Sequence, residues 1–175
     1  MRKYGAKERA FMAAVFSAQL SLSVLGVLFS RSFAGAVVLL AALALLSAAF
    51  CIDAARGIVP AVIPVALSAL SLAAALFACG PLPGERLFGF CFGFGISALV
   101  RGAWRLRHKE EGLGLGDVKL FGAVGLMTGG QMPLVLLLSC LFAGIAHVVL
   151  QQRRLPFAPA IALAAACALL CASLF

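Results

Sequence analysis

The sequence predicts an all-α fold, a polytopic bundle of membrane helices, and three observations predict it. Apolar side chains make up 64% of the 175 residues and charged ones only 11%, with a mean hydropathy of +1.13, which lies far from the balance of a soluble domain. Six nearly uncharged stretches, 11–29, 34–52, 59–79, 87–104, 132–150 and 157–175, are each long enough to cross about 30 Å of hydrocarbon at roughly 20 residues apiece. The net charge of +8 is carried almost entirely by the connections between those stretches. No basic run is interleaved with aromatic residues in a soluble module, so the charge marks membrane topology and not a nucleic-acid partner.

The N-terminus brings Arg2, Lys3, Lys7 and Arg9 ahead of the run Phe11 to Phe29. That run is longer than the core of a secretory signal, and is expected to be a first span that doubles as the insertion signal. A seventh apolar segment, 117–130, is short; it either crosses as a tilted or broken helix or dips in and returns. Cytoplasmic loops accumulate lysine and arginine, which separates the two. With seven crossings and the N-terminus inside, twelve of the 14 cations fall inside and only Arg31 and Arg86 outside. If the short segment turns back, Arg153 and Arg154 change sides and the split weakens to ten against four. Seven segments, N-inside and C-outside, is the predicted topology, in contact with lipid throughout.

The chain shows no internal repeat, linker or low-complexity tract, and 1–175 reads as one integral-membrane domain. Pro60 and Pro64 stand early in the third span and predict a kink near Asp53, because proline removes a backbone bond and crowds the preceding turn. The six cysteines, at 51, 79, 91, 140, 167 and 171, lie in or at the ends of apolar segments with no CxxC pair, as small hydrophobic fillers do. Zinc ligation or a disulfide framework would need paired spacing or an aqueous setting, so neither metal nor cofactor is expected. The longest polar connection, Arg101 to Gly116, reads RGAWRLRHKEEGLGLG. Its cations set topology or steer an anionic partner, Trp104 anchors the interface, His108 is solvated, and His147 is expected inside the bundle.

Within that loop's end lies the most informative stretch, Glu111 to Leu120, EGLGLGDVKL: three glycines at alternate positions, then an aspartate opening a fresh apolar segment. Gly112, Gly114 and Gly116 free the backbone and let another chain come close. A carboxylate at the edge of hydrocarbon is costly unless solvated, paired or protonated. Of the six acids only Asp53 and Asp117 stand at the boundaries of apolar spans, and the predicted topology sets both on the inner face. Two carboxylates a few ångströms apart cannot both ionise at neutral pH, so one keeps a proton while the other stays basic. Such a pair activates water toward an amide carbonyl and protonates the tetrahedral intermediate. Alternatively, each aspartate merely caps a loop at the interface.

These residues resemble a known family. The run Glu111 to Leu120 is similar to the second active-site motif of the prepilin peptidases, or type IV leader peptidases. Asp53 followed by Pro60, in DAARGIVP, resembles their first motif, and Leu155-Pro156-Phe157-Ala158-Pro159-Ala160 resembles the stretch that opens their last helix. The resemblance covers the chain from about residue 34 onward, leaving 1–33 as an extra N-terminal span before a catalytic core of 34–175. It implies a GxGD-type aspartyl endopeptidase of the bacterial cytoplasmic membrane, with Asp53 and Asp117 catalytic, cutting short basic leaders from pilin-like precursors at the cytoplasmic face. Lys119 would then either stabilise an ionised Asp117 or face lipid headgroups, and Gly114 and Gly116 would let a substrate backbone approach. Ala61 stands where many relatives carry asparagine or aspartate. Only Ser30 to Phe33 separates the first two spans, which leaves no room for the zinc-binding insert linked to N-methylation in bifunctional members.

Three other readings compete. A presenilin or signal-peptide-peptidase relative shares GxGD but usually places tyrosine before the first aspartate, where Ile52 stands. A small proton-coupled transporter predicts acids near the midplane and inverted-repeat symmetry. A noncatalytic assembly partner of a secretion machine would tolerate loss of either aspartate. The oligomeric state and the particular precursor are left open.

Overall fold

The computed structural model describes residues 6–28, 33–77, 80–108, 113–150 and 157–174. Among these residues the protein is an all-helical bundle without strands. Its helices are α1 (Ala6–Leu28), α2 (Phe33–Arg56), α3 (Val62–Leu76), α4 (Pro83–His108), α5 (Leu115–Thr128), α6 (Met132–Leu150) and α7 (Ala158–Leu174), with a 3-10 turn, Gly129–Gln131, joining α5 to α6. Three helical stretches are long and apolar enough to cross a membrane: Phe33–Arg56, Pro83–Arg107, and the run Leu115–Val149 that the 3-10 turn interrupts. This is a multi-pass membrane protein.

Two successive helix pairs run antiparallel. The Phe16 ring lies 5.4 Å from that of Phe50 and Gln19 Nε2 donates to Ser47 Oγ at 3.2 Å, so α1 rises where α2 descends. Gly89 meets Gly125 and Gly93 meets Phe121, making α4 and α5 antiparallel. These contacts are backbone to backbone: a Cβ on Gly89 would stand 2.2 Å from the Gly125 carbonyl oxygen, and one on Gly125 2.1 Å from that of Gly89. Gly89, against Gly125 and Gly129, and Gly93, against Phe121 and Met132, form a small-xxx-small stripe on α4 of the kind that lets membrane helices close on one another. Gly129 (φ 55) then turns the chain into α6.

At the centre stands α7. Ala158, Ile161, Ala162, Ala164, Ala165 and Ala168 are all fully buried, and a helix apolar all round belongs in the interior. Its alanines let α1, α2, α5 and α6 crowd close. Leu46, Leu67, Leu120 and Phe121 complete the core. The larger apolar side chains turn outward, with Leu76 87% and Val148 74% exposed, the surface that lipid covers in a membrane protein.

The helices depart from the apolar runs in instructive places. The third span, expected over 59–79, is helical only over Val62–Leu76. Pro60 lies in the connection before it, and Pro64 occupies the first turn, where a missing N–H costs no helical bond; the expected kink is therefore absent, and the helix simply begins there. By contrast α4 extends through Arg101, Arg105 and Arg107 at its polar end. Cys51, Cys91 and Cys140 are exposed and Cys167 and Cys171 half-buried, so they face outward more than they fill the interior, and Cys79 lies outside the described residues. His147, too, is exposed near the end of α6 and not inside the bundle. Trp104 is exposed on α4, as an interfacial anchor would be.

Candidate active site

Asp53 sits in the last turn of α2 because the alanine- and leucine-rich helix runs past its apolar stretch to Arg56. Gly57 ends it: with φ 69 it takes the left-handed conformation in which helices commonly stop, and its N–H donates to the Asp53 carbonyl at 2.7 Å. The Asp53 side chain is 5% exposed, and its Oδ2 accepts a hydrogen bond from the Ala158 N–H, at the start of α7, at 3.0 Å.

Asp117 lies in the first turn of α5. Gly114 precedes that helix in extended conformation (φ −62, ψ 143), and the Val118 N–H closes the first turn onto its carbonyl at 3.3 Å. The Asp117 carboxylate folds back over Gly114, where a Cβ would stand 3.0 Å from its Oδ2. Its Oδ1 is enclosed with no hydrogen-bond partner among the described residues.

Two contacts draw these acids together. Gly116 packs on Val59, in the connection after Asp53, so closely that a Cβ there would lie 2.8 Å from the Val59 carbonyl oxygen. From the other side the Phe157 ring lies 6.0 Å from that of Phe121, one turn beyond Asp117. The connection after Asp53 and the first turn of α5, which carries Asp117, are thereby packed together. Arg101 of α4 donates to the Leu113 carbonyl, tying the end of α4 to the residue before Gly114. An apolar groove of about 650 Å³ runs between α4 and α6, its lining including Trp104, Leu136, Leu113, Phe121 and Phe157.

Of the sequence-predicted residues, Asp53, Asp117, Gly114 and Gly116 converge here. Pro60 adjoins Val59 and its carbonyl accepts from the Ile63 N–H at 3.2 Å, starting α3. Lys119 is exposed on α5. Gly112 and Glu111 lie outside the described residues, as do Leu155 and Pro156. Val59, Arg101 and the Ala158 amide were not anticipated as parts of the site. A valine contact and one arginine among several near the end of α4 carry no distinguishing signal, whereas the stretch holding Ala158 stood out in the sequence without a role attached. No group of three or more histidine, cysteine, aspartate or glutamate side chains is placed to hold a metal among the described residues.

The fold defines the class, that of polytopic helical membrane proteins. Within it, residues 40–148 match the type IV leader peptidase family, and the chain belongs to that family. It is 35% identical over 127 residues to a prepilin leader peptidase/N-methyltransferase of Pseudomonas aeruginosa, covering 68% of this chain and 44% of that one. To the protein of the same name in Aeromonas hydrophila it is 38% identical over 95 residues, 50% of this chain and 33% of the other. A leader peptidase HopD of Salmonella typhimurium is 36% identical over 89 residues, 46% of this chain and 57% of its own. The matches thus span between a third and somewhat over half of these relatives' lengths. No solved structure matches the chain.

Proposed function

We propose that the protein is an aspartyl endopeptidase that removes short basic leaders from pilin-like precursors at the cytoplasmic face of the bacterial inner membrane, with water activated between Asp53 and Asp117. The observation that carries the reading is the packing of Gly116 on Val59, which joins the ends of the two helices that bear the acids in a chain of the leader peptidase family.

The chemistry follows from two carboxyl groups in mutual reach. One, ionised, takes a proton from water as the oxygen attacks the scissile carbonyl, while the other, protonated, donates to the developing oxyanion; as the C–N bond breaks, the first gives its new proton to the leaving amine and the second recovers one from the gem-diol hydroxyl. Asp117 Oδ1, which no group among the described residues satisfies, is the acceptor to which that water would bond. The lining of the apolar groove includes Leu113, Phe121 and Phe157, neighbours in sequence of Asp117 and of the Ala158 amide, which suits a precursor whose hydrophobic helix lies in the bilayer and whose leader is polar. The arrangement asks nothing of a metal. Residues 34–175 would form the catalytic core, with α1 as an additional span and the N-terminus inside.

Purified protein in detergent or liposomes, mixed with a precursor carrying a basic leader and a hydrophobic helix, should cut once at their junction, located by mass spectrometry. An uncut precursor, or one cut equally by the Asp53→Asn and Asp117→Asn variants, would overturn the proposal.

A further inference from the structure

We infer that the backbone amide of Ala158 is a positioning group for the reaction, holding the Asp53 carboxylate in place through the start of α7; the inference rests on the peptidase reading above. Asp53 stands three residues before the end of α2. There its own helix presents carbonyl oxygens and the negative end of the dipole, a poor setting for a carboxylate. With 5% exposure, the side chain has little bulk water to offset that field.

The offset comes from another helix. α7 begins at Ala158 and runs to Leu174, so its positive end lies against Asp53. The first turn of a helix leaves backbone N–H groups without intrahelical partners, and here they are few. Pro159 has none. The Ala160 and Ile161 N–H groups both turn back to the Phe157 carbonyl, at 3.0 and 3.2 Å. That leaves the Ala158 N–H, which donates to Asp53 Oδ2 at 3.0 Å. The residue before it fixes where this donor points, because the Phe157 ring packs against Phe121 at 6.0 Å on the helix that carries Asp117. Phe157 and Ala158 therefore tie one acid's hydrogen-bond donor to the other acid's helix. The stretch Phe157-Ala158-Pro159-Ala160 becomes a device that sets one carboxylate relative to the other.

The test removes the Ala158 N–H. Ala158→Pro does so at a helix position that accepts proline. A second variant replaces Ala158 by the corresponding α-hydroxy acid through nonsense suppression, giving a backbone ester without the ring, and the same suppression with alanine restores the amide as control. Each full-length protein is assayed on one precursor for kcat and KM, with its thermal midpoint measured in the same detergent. The ester should lower kcat by about 10- to 100-fold, the range for a hydrogen bond to a charged group, while KM stays within about twofold. Should Ala158→Pro fail to fold, the ester decides. An ester enzyme with kcat within about threefold of its alanine control, a loss confined to KM, or a loss matched by collapse of the thermal midpoint would each overturn the inference. If the alanine control itself leaves the precursor uncut while folded, the peptidase reading falls and this inference with it.

Discussion

Gly116 lies against Val59: a Cβ on the glycine would come 2.8 Å from the valine carbonyl oxygen and 2.9 Å from its Cβ. The first of these neighbours is backbone and cannot swing aside, so Gly116→Ala must push the first turn of α5 away from the connection after Asp53. Overpacking of this kind costs about 1–3 kcal/mol. Cleavage of a precursor should fall more than stability does, since it is the spacing of the acids that opens. Gly114→Ala is the contrast: its Cβ would meet the Asp117 carboxylate, Oδ2 at 3.0 Å, at the end of a side chain that can turn. Its thermal midpoint should stay near that of the unsubstituted protein while its turnover drops. Thermal unfolding in detergent, run beside a cleavage assay, separates the two variants.

The acids themselves invite a similar separation. Asp53→Asn keeps an oxygen that can accept from the Ala158 N–H, so the fold should survive while cleavage falls at least about 100-fold, the usual loss when a general acid or base is removed. Asp53→Ala strands that buried N–H and should cost a further 1–3 kcal/mol or about that much in stability. Asp117→Asn should abolish cleavage in the same way. Measuring folded fraction and leader removal on one preparation of each variant checks the pattern, and retention of cleavage in either asparagine variant contradicts the paired-acid mechanism.

How much of this was legible beforehand follows from what periodicity and cost can reveal. The apolar runs announced an all-helical membrane bundle because hydrocarbon admits few backbone arrangements. Asp53 and Asp117 stood out because a carboxylate at the edge of an apolar span demands a reason. Less could be read where composition is uniform. Nothing in the alanine-rich tail distinguishes a peripheral helix from a central one, yet Ala162, Ala164 and Ala165 are fully buried. The shortening of α3 and the missing kink at Pro60 follow from the helix beginning after that proline, a boundary that hydropathy does not mark. Arg101, read as a topological cation, also donates to the Leu113 carbonyl, and no spacing rule would have paired them.

The α4 and α5 hairpin predicts where small residues are irreplaceable. Gly125→Ala would place its Cβ 2.1 Å from the Gly89 carbonyl oxygen, and Gly89→Ala 2.2 Å from that of Gly125; the helices must part in either case. Each variant should lose about 1–3 kcal/mol or more, seen as a lower thermal midpoint and faster proteolysis. Gly95→Ala, on the same helix as Gly89 but with nothing within 4 Å of its Cβ, should be neutral or slightly stabilising, because alanine is the better helix former. Equal sensitivity at 89 and 95 would mean that helix propensity, not contact, governs the hairpin.

At the end of the bundle away from the acids, Arg86 is 5% exposed and its guanidinium spans two elements. Nε donates to the Pro81 carbonyl at 2.9 Å, and Nη1 to the Ser71 carbonyl and Oγ at 2.6 and 2.8 Å. Ser71 Oγ in turn donates to the Leu126 carbonyl at 2.8 Å. One cation thereby fastens α3 to the start of α4 and, through Ser71, to α5. The fork geometry of arginine is needed for this, since a lysine ammonium cannot present two parallel donors at fixed spacing. Arg86→Lys should therefore lose about 1–3 kcal/mol, and Arg86→Ala more, because three acceptors then lose their donors in the interior. Ser71→Ala should lose less, since Arg86 keeps both carbonyl partners. All three variants should cleave a precursor at the unsubstituted rate per folded molecule, because the network lies at the opposite end from Asp53 and Asp117. Active-fraction titration alongside thermal unfolding makes that comparison; a fall in turnover per folded molecule would show that the two ends of the bundle are coupled.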